Sequence, residues 1–317
     1  MKEFKKMIIA ILTILTILFI ALFFYAYRWN ILNPNKSGSI KVENLDRTFI
    51  YHVPKILKPN PKLIIVYHGS TLKAFMMQIF SGHEFDLLAD KSENTIIVYP
   101  QGYKEQWNDC RKNAPYDANK LNIDDVTFTE QIIAYFKSKY QINEKEIFAV
   151  GYSNGGGMVT RLAYTLPDIF KSYAIISNNL PVAENCICNE VQKPVSIIYF
   201  SGVKDHIVPF DGGEAFVNGI SYGFGQSTEQ TLKHWLSASF CHSTASYHKD
   251  FKNKNGDITA IQTNYNSTST SKKITFVKLL DGGHTIPNRN FRIPIKALGN
   301  MNAEVDAPQL IWGFFMN

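Results

Sequence analysis

The stretch VGYSNGGGMV, residues 150–159, places a serine between two glycines at the end of an apolar run. A Gly-x-Ser-x-Gly pattern arises by chance in roughly one chain in ten of this length, so its surroundings decide its meaning. Residues 146–152, EIFAVGY, have the continuous apolar character of a strand buried on both faces. Met158 and Leu162 follow at helical spacing. A strand, a tight turn at Ser153 and a helix form the arrangement of a nucleophile elbow.

The glycines around Ser153 support this interpretation. Gly151 and Gly155 are expected where a strand turns sharply into a helix, because the turn leaves no room for side chains and strains the serine backbone. The free N–H groups at the helix start favour negative charge beside Ser153. A phosphate-binding loop is the alternative, but the Gly-Lys-Ser/Thr of that motif is absent. We therefore predict that Ser153 is a nucleophile.

Further apolar runs predict more strands of one buried sheet. They are KLIIVYH (62–68), TIIVYP (95–100), SYAIIS (172–177) and VSIIYFS (195–201). The helical pattern at 124–140 has acids in its first turn and lysines in its last. Strands that alternate with helices predict an α/β fold with a mostly parallel central sheet and helices on both faces. Residues 39–54 predict an opening hairpin, and an Asn-Gly turn at 255–256 predicts another before a last strand at 273–280.

A candidate acid follows Ser153 in the chain order that such a site requires. A serine needs a base to take its proton, and a carboxylate orients that base. Asp205 comes just after VSIIYFS, at the strand edge where active sites of α/β sheets gather. Asp211 is the alternative in the same loop, but it lies further from the strand.

His284 is the candidate base. It follows the last strand and two glycines, in a loop that can reach back over the strand ends. His234, His242 and His248 also follow Asp205, but their predicted positions are a helix, a cysteine-containing loop and a hairpin strand.

Two backbone N–H groups are predicted to form an oxyanion hole. Asn154 follows the nucleophile and supplies one N–H group by its position. Ser70, just after the strand at 62–68, is the preferred source of the other, with Thr71 as the alternative. We expect His68 to be a structural hydrogen-bonding residue rather than a second base.

The amino-terminal segment predicts a membrane location. Residues 7–24 form an uncharged apolar run of about the length that spans a bilayer, and three lysines precede it. We interpret residues 1–29 as a transmembrane signal anchor, with a cleaved signal peptide as the alternative. Residues 30–37 would then be a tether, and residues 38–317 a catalytic domain that faces the periplasm or the exterior.

The four cysteines suit an oxidising compartment. Cys186 and Cys188 are too close in sequence to favour bonding each other, so we expect longer loops to be closed, with the connectivity to Cys110 and Cys241 left open. A zinc site is disfavoured because no second close pair or nearby histidine accompanies them. The net charge of +6 is spread along the chain without a nucleic-acid-binding motif, so nucleic acid is not an expected partner.

Five motifs together resemble the extracellular polyhydroxybutyrate depolymerase and feruloyl esterase family, a group related to carbohydrate esterase family 1. They are, in order, VYHGS, DDVTF, VGYSNGGGM, SGVKDHIVPFDGG and LLDGGHTIPN. The resemblance covers roughly residues 62–315. It implies the α/β-hydrolase fold, a secreted habit and a catalytic triad of Ser153, Asp205 and His284.

The chain departs from this family at three positions. The family has a tryptophan beside the substrate cleft where this chain has Ile286, which makes Ile286 a candidate substrate-binding residue. Asn288 replaces a glycine, and Gly157 replaces a methionine in the first turn of the elbow helix, at a cost in helix propensity. These differences leave the acyl and alcohol groups of the substrate open.

The residues and the resemblance together predict a membrane-tethered serine esterase that acts on small or oligomeric esters. The mechanism implies no metal and no organic cofactor. A serine peptidase of the prolyl-oligopeptidase type is an alternative. It is disfavoured because the sequence shows no gating domain of the kind that such peptidases carry. A non-catalytic surface-binding module is another, which the presence of all three triad residues disfavours. The oligomeric state is not predicted.

Overall fold

A computed structural model describes residues 35–188, 193–217, 219–293 and 295–317. The chain divides into two units at Lys36/Ser37, and almost all described residues belong to the second unit, Ser37–Asn317. The predicted anchor and most of the predicted tether lie outside the described residues. Within the described ranges, no helix has the length and apolar character needed to cross a membrane.

Most strands of the described chain join one ten-stranded sheet. The strands are β1 (Lys36–Val42), β2 (Leu45–His52), β3 (Lys62–Tyr67), β4 (Thr95–Pro100), β5 (Ile147–Tyr152), β6 (Ser172–Ile176), β7 (Ile197–Gly202), β8 (Gly213–Val217), β9 (Ile220–Gly225), β10 (Tyr247–Lys252), β11 (Ile258–Asn266) and β12 (Lys273–Leu279). The sheet order is β1-β2-β4-β3-β5-β6-β7-β12-β11-β10. The strands from β4 to β12 in this order run parallel, whereas β2, β11 and β10 pair antiparallel.

Helices connect the parallel strands and flank them. They are α1 (Ala74–Phe80), α2 (Glu84–Ser92), α3 (Asp117–Lys120), α4 (Asp125–Tyr140), α5 (Asn154–Thr165), α6 (Thr228–Ala238) and α7 (Ala307–Met316), with short 3₁₀ turns at Ala183–Asn185 and Lys296–Leu298. Alternate residues of β3 enter two separate core clusters. Leu63 and Ile65 pack with α4, α5 and α6, whereas Ile64 and Val66 pack with α1, α2 and α7. The predicted mostly parallel sheet with helices on both faces is confirmed.

One hairpin was not predicted from the sequence. Strands β8 and β9 form a separate two-stranded sheet between the loop of Asp205 and α6. Its apolar side chains Phe216, Ile220 and Phe224 are 45%, 53% and 53% exposed. Tyr222 of this hairpin is buried with Tyr116. Its sequence carries an Asn-Gly pair at 218–219 and apolar residues that alternate along β9, so the signal of a hairpin was present and was missed.

One disulfide joins cysteines far apart in the sequence. Cys110 and Cys188 are bonded across a separation of 78 residues, which agrees with the expectation that a longer loop is closed. A bridge that closes a loop of this length restricts the unfolded chain and stabilises the fold by roughly 2–4 kcal/mol. Cys186 and Cys241 are free thiols.

The acids of the DDVTF motif hold the loop that follows β4. Asp124 caps α4 by accepting a hydrogen bond from the N–H group of Thr127 at 2.9 Å. Asp125 is buried, lies 2.6 Å from Nη2 of Arg47, and accepts the N–H group of Asn108 at 2.8 Å. Burial raises the pKa of Asp125 even though Arg47 lies beside it. This motif therefore anchors a loop that borders the site described next.

Candidate active site

The turn from β5 into α5 presents Ser153 at the carboxyl edge of the sheet. Ser153 has φ 54° and ψ −122°, a backbone conformation that residues with side chains rarely adopt. Its N–H group donates to the carbonyl oxygen of Ile176 at 2.9 Å. A β-carbon at Gly151 would lie 2.1 Å from the carbonyl oxygen of Gly155, and one at Gly155 would lie 2.3 Å from that of Tyr67. Both positions therefore require glycine, as the sequence predicted.

Ser153, His284 and Asp205 form one hydrogen-bonded chain. The hydroxyl of Ser153 lies 2.8 Å from Nε2 of His284, and Nδ1 of His284 lies 2.7 Å from Oδ2 of Asp205. The other carboxylate oxygen of Asp205 accepts the N–H groups of Ile207 and Val208 at 2.9 and 2.8 Å. A carboxylate with this set of donors is held in place for His284. The arrangement makes Nδ1 of His284 a donor and leaves Nε2 to accept the serine proton.

Two contacts that the sequence did not predict bring His284 to Asp205. A β-carbon at Gly202, the last residue of β7, would lie 2.4 Å from the carbonyl oxygen of Gly282. Only glycine there lets the His284 loop cross the Asp205 loop. The hydroxyl of Tyr152 donates to the carbonyl oxygen of His284 at 2.7 Å. A glycine between a buried strand and a candidate acid is the signal that could have identified the first contact.

Both predicted oxyanion donors come from segments close to Ser153. A β-carbon at Gly69 would lie 3.3 Å from Cβ of Ser153, so the loop after β3 runs directly beside Ser153. The N–H group of Thr71 is used by the carbonyl oxygen of Glu105 at 3.0 Å. Among the described residues, no backbone carbonyl accepts the N–H group of Ser70 or of Asn154. This favours Ser70 over Thr71 as the second donor.

His68 ties the loop of Ser70 to the loop after β4. Its Nε2 accepts the N–H group of Gly102 at 2.9 Å, and its Nδ1 donates to the carbonyl oxygen of Gly69 at 2.8 Å. Its own carbonyl oxygen accepts the indole N–H group of Trp107 at 2.9 Å. Burial lowers the pKa of His68 to about 4, so the ring is neutral at pH 7. These contacts agree with the structural role expected from the sequence.

The stability lost on acidification should be smaller in a His68→Gln variant than in the wild-type protein. The ordinary pKa of 6.5 applies to the unfolded chain and a value of about 4 to the folded one. Between these pH values the unfolded chain binds a proton that the folded chain does not, so stability falls as pH falls from 6.5 to 4. This contribution is on the order of 2–3 kcal/mol. Urea unfolding at pH 7 and about 4.5 measures it.

The exposed His248 provides the matched control, because a His248→Gln variant removes a histidine ring at the protein surface. Its pH dependence of unfolding should follow that of the wild-type protein. Equal losses of stability in the wild-type protein and in His68→Gln would contradict the proposed effect of burial on His68.

The remaining candidates from the sequence lie away from the hydrogen-bonded chain. Asp211 is exposed, as are His242 and His248. Nε2 of His234 lies 2.9 Å from the hydroxyl of Tyr164. In the part of the chain that the structure describes, no group of three histidine, cysteine, aspartate or glutamate side chains is arranged to hold a metal ion.

Ile286 is buried in the core, with 2% of its surface exposed. It belongs to the cluster that α7 covers, together with Val305 and Ile311. The structure therefore does not bring Ile286 to a surface that a substrate could reach beside Ser153. A substrate contact by Ile286 has no support in this geometry, because the side chain packs against apolar neighbours instead.

The fold and the site together define a class of protein. A mostly parallel sheet, a serine on a strained strand-to-helix turn, and an acid and a histidine from later strand ends are the features of an α/β-hydrolase. The model of the phospholipase/carboxylesterase family matches residues 58–253, and the chain belongs to this family. It is a carboxylic ester hydrolase.

Similar proteins carry esterase names. A probable feruloyl esterase C of Aspergillus oryzae is 23% identical over 275 residues, which cover 86% of this chain and 84% of that protein. Feruloyl esterase C of Emericella nidulans is 27% identical over 176 residues, or 54% of this chain and 60% of that protein. The solved acetyl xylan esterase of Aspergillus awamori superposes with a TM-score of 0.53 at 14% identity, over 80% of this chain and 95% of that one. This last likeness supports the fold.

Proposed function

We propose that this protein is a serine esterase that hydrolyses carboxylic esters through an acyl-enzyme intermediate on Ser153. The observation that carries the proposal is the continuous chain of hydrogen bonds from Ser153 through His284 to Asp205. A serine hydroxyl is a poor nucleophile unless a neighbouring base takes its proton, and this chain supplies both the base and the carboxylate that orients it.

The reaction follows from the positions of these groups. Oγ of Ser153 forms a bond to the ester carbonyl carbon while its proton passes to Nε2 of His284. The carbonyl oxygen becomes an oxyanion that accepts hydrogen bonds from the N–H groups of Ser70 and Asn154. The bond to the alcohol then breaks, and His284 protonates the leaving oxygen. Water repeats the sequence on the acyl enzyme and releases the acid.

For the substrate, we propose small or oligomeric esters of the kinds named for the relatives, with feruloyl esters preferred. The support is the feruloyl esterase name of relatives that cover most of this chain. The resemblance to polyhydroxybutyrate depolymerases makes hydroxybutyrate oligomers the second candidate. No metal or organic cofactor takes part in this proposal.

A panel of esters tests the proposed substrate class. Methyl ferulate, p-nitrophenyl acetate, butyrate and octanoate, and hydroxybutyrate oligomers would be compared by kcat/KM. We expect methyl ferulate to be hydrolysed at least about tenfold more efficiently than hydroxybutyrate oligomers, because each factor of ten needs only about 1.4 kcal/mol of differential binding in the transition state. A preference for the oligomers would reverse the assignment, and hydrolysis of none of these esters would contradict it.

We also propose that the catalytic unit works outside the cytoplasm, tethered by residues 1–29. The apolar run at 7–24 and the Cys110–Cys188 disulfide support this location. The full chain should then be recovered in the membrane fraction, and its catalytic unit should be cleaved by protease added from outside the cytoplasmic membrane. Recovery in the cytosolic fraction would contradict the tether.

A further inference from the structure

We propose that the ion pair between Asp109 and Arg111 positions the oxyanion site, with Asp109 orienting Asn154 and Arg111 cancelling the carboxylate charge that would otherwise oppose the oxyanion. The inference rests on the proposed esterase function and adds two positioning residues to it. Neither residue is in the hydrogen-bonded chain of Ser153, His284 and Asp205. Both come from the loop after β4, which the sequence did not connect with the site.

The side chain of Asn154 is held at every polar atom. Its Oδ1 accepts the N–H group of Trp107 at 2.8 Å. Its Nδ2 lies 3.1 Å from the carbonyl oxygen of Trp107, 2.8 Å from Oδ2 of Asp109 and 3.0 Å from the hydroxyl of Tyr116. Asn154 is 1% exposed. A side chain fixed in this way also fixes the backbone of its own residue, and therefore the direction of the N–H group that would meet the oxyanion.

The carboxylate of Asp109 is buried close to the start of α5. It is 1% exposed, and a β-carbon at Gly157 would lie 2.6 Å from its Oδ2. This contact explains why glycine occupies position 157, where helix propensity favours other residues. A carboxylate next to a helix N-terminus is favourable in the resting protein. The same negative charge would oppose an oxyanion that forms at the same helix end.

Arg111 supplies the compensating charge. Its Nε lies 2.9 Å from Oδ2 and 3.2 Å from Oδ1 of Asp109, and its Nη2 also donates to Oδ2. The guanidinium carbon lies 5.8 Å from the centre of the Tyr116 ring and 5.9 Å from that of Tyr222. The Arg111 side chain is only 14% exposed. Burial disfavours its charged form, but Asp109 and these rings outweigh that effect and raise the pKa of Arg111, so it stays charged.

The disulfide ties this pair to the segment that follows β6. Cys110 lies between the two charged residues and is bonded to Cys188. The N–H group of Arg111 also donates to Oδ1 of Asp109 at 2.9 Å, which closes a tight turn around the cysteine. The pair is therefore rigid as well as neutral. A rigid neutral pair can orient Asn154 through Oδ2 without presenting a net negative charge to the oxyanion.

Removing Arg111 alone should expose the charge of Asp109 to the oxyanion. We expect Arg111→Gln to lower kcat roughly 10–100-fold with little change in KM, because the charge opposes only the transition state. The affinity for phenylboronic acid, which becomes a tetrahedral anion on the serine, should fall by a similar factor. The double variant Asp109→Asn/Arg111→Gln should recover kcat to within about fivefold of the wild-type value, because both charges are then absent.

The matched control is Lys233→Gln, which breaks an exposed 3.1 Å ion pair with Glu229 on α6. It removes the same single positive charge and should leave kcat and phenylboronic acid affinity unchanged. Arg111→Gln behaving like this control, or a double variant no better than Arg111→Gln, would overturn the proposal. If Arg111→Gln does not fold, the double variant and Arg111→Lys decide, and a loss of kcat beyond about tenfold in both contradicts it.

Labelling of the wild-type protein with a fluorophosphonate separates this inference from the function on which it rests. Absence of labelling at Ser153 would contradict the esterase mechanism itself. Labelled wild-type protein together with an unaffected Arg111→Gln variant would overturn only the role of the ion pair.

Discussion

Replacing Ser153 with alanine is expected to lower kcat for ester hydrolysis by roughly 10⁶-fold. In the proposed mechanism the hydroxyl oxygen of Ser153 forms the bond to the acyl carbon, and His284, 2.8 Å away, takes its proton. The same variant should no longer react with a fluorophosphonate. The rate of p-nitrophenyl acetate hydrolysis measures the first effect. Mass spectrometry after incubation with the fluorophosphonate measures the second effect independently.

Ser138→Ala is the matched control for this experiment. Ser138 lies on the exposed face of α4, so the substitution removes the same hydroxyl without touching the site. Its activity and labelling should equal those of the wild-type protein. Undiminished labelling of Ser153→Ala would show that another residue is the nucleophile, and an unlabelled wild-type protein would refute a serine mechanism.

Replacing Asp205 with asparagine is expected to lower kcat by roughly 10⁴-fold while the fold is kept. Asparagine has the same shape, and its amide oxygen would be retained by the N–H groups of Ile207 and Val208, which donate to Oδ1 of Asp205. Its NH₂ group would then face Nδ1 of His284. That nitrogen must accept rather than donate, so the ring proton moves to Nε2 and the ring can no longer accept the proton of Ser153.

Asp211→Asn serves as the control for this loss. Asp211 is in the same loop, carries the same charge and is exposed, so its substitution should leave kcat close to the wild-type value. Circular dichroism and thermal unfolding of both variants test whether the fold is kept. Equal activity of Asp205→Asn and the wild-type protein would exclude Asp205 as the residue that orients His284.

Much of the fold follows from local sequence patterns. The central strands are buried on both faces, so their sequences are continuous apolar runs, as at residues 62–67 and 95–100. The β10–β11 hairpin carries an Asn-Gly turn that predicts its position. The β8–β9 hairpin carries the same Asn-Gly signal at 218–219, although most of its large apolar side chains that the structure describes are exposed, whereas Tyr222 is buried. The position of this second hairpin could therefore have been predicted from the sequence as well.

Some residues of the candidate site could be predicted from the sequence, and others could not. Chain order and the position of a residue after a strand were enough to select Ser153, Asp205 and His284 for one site, because parallel strands bring their carboxyl ends to one edge. The structure brings these three side chains into hydrogen-bonding contact. Ile286 was selected from the resemblance, and the structure places it in the core. A position two residues after His284 in the sequence does not tell which face of the loop the side chain occupies.

The sequence VGYSNGGGMV was sufficient to predict a strained turn. The steric demands on Gly151 and Gly155 are local, and they recur wherever a strand turns into a helix this tightly. No local feature of the sequence explains why residue 157 is a glycine. Gly157 contacts the carboxylate of Asp109, which lies in a loop 48 residues earlier in the chain. The same holds for Gly202 beneath the His284 loop, for the Cys110–Cys188 bridge and for the Asp109–Arg111 pair. Contacts between distant segments depend on how the loops pack across the sheet edge, and that packing is a property of the folded chain.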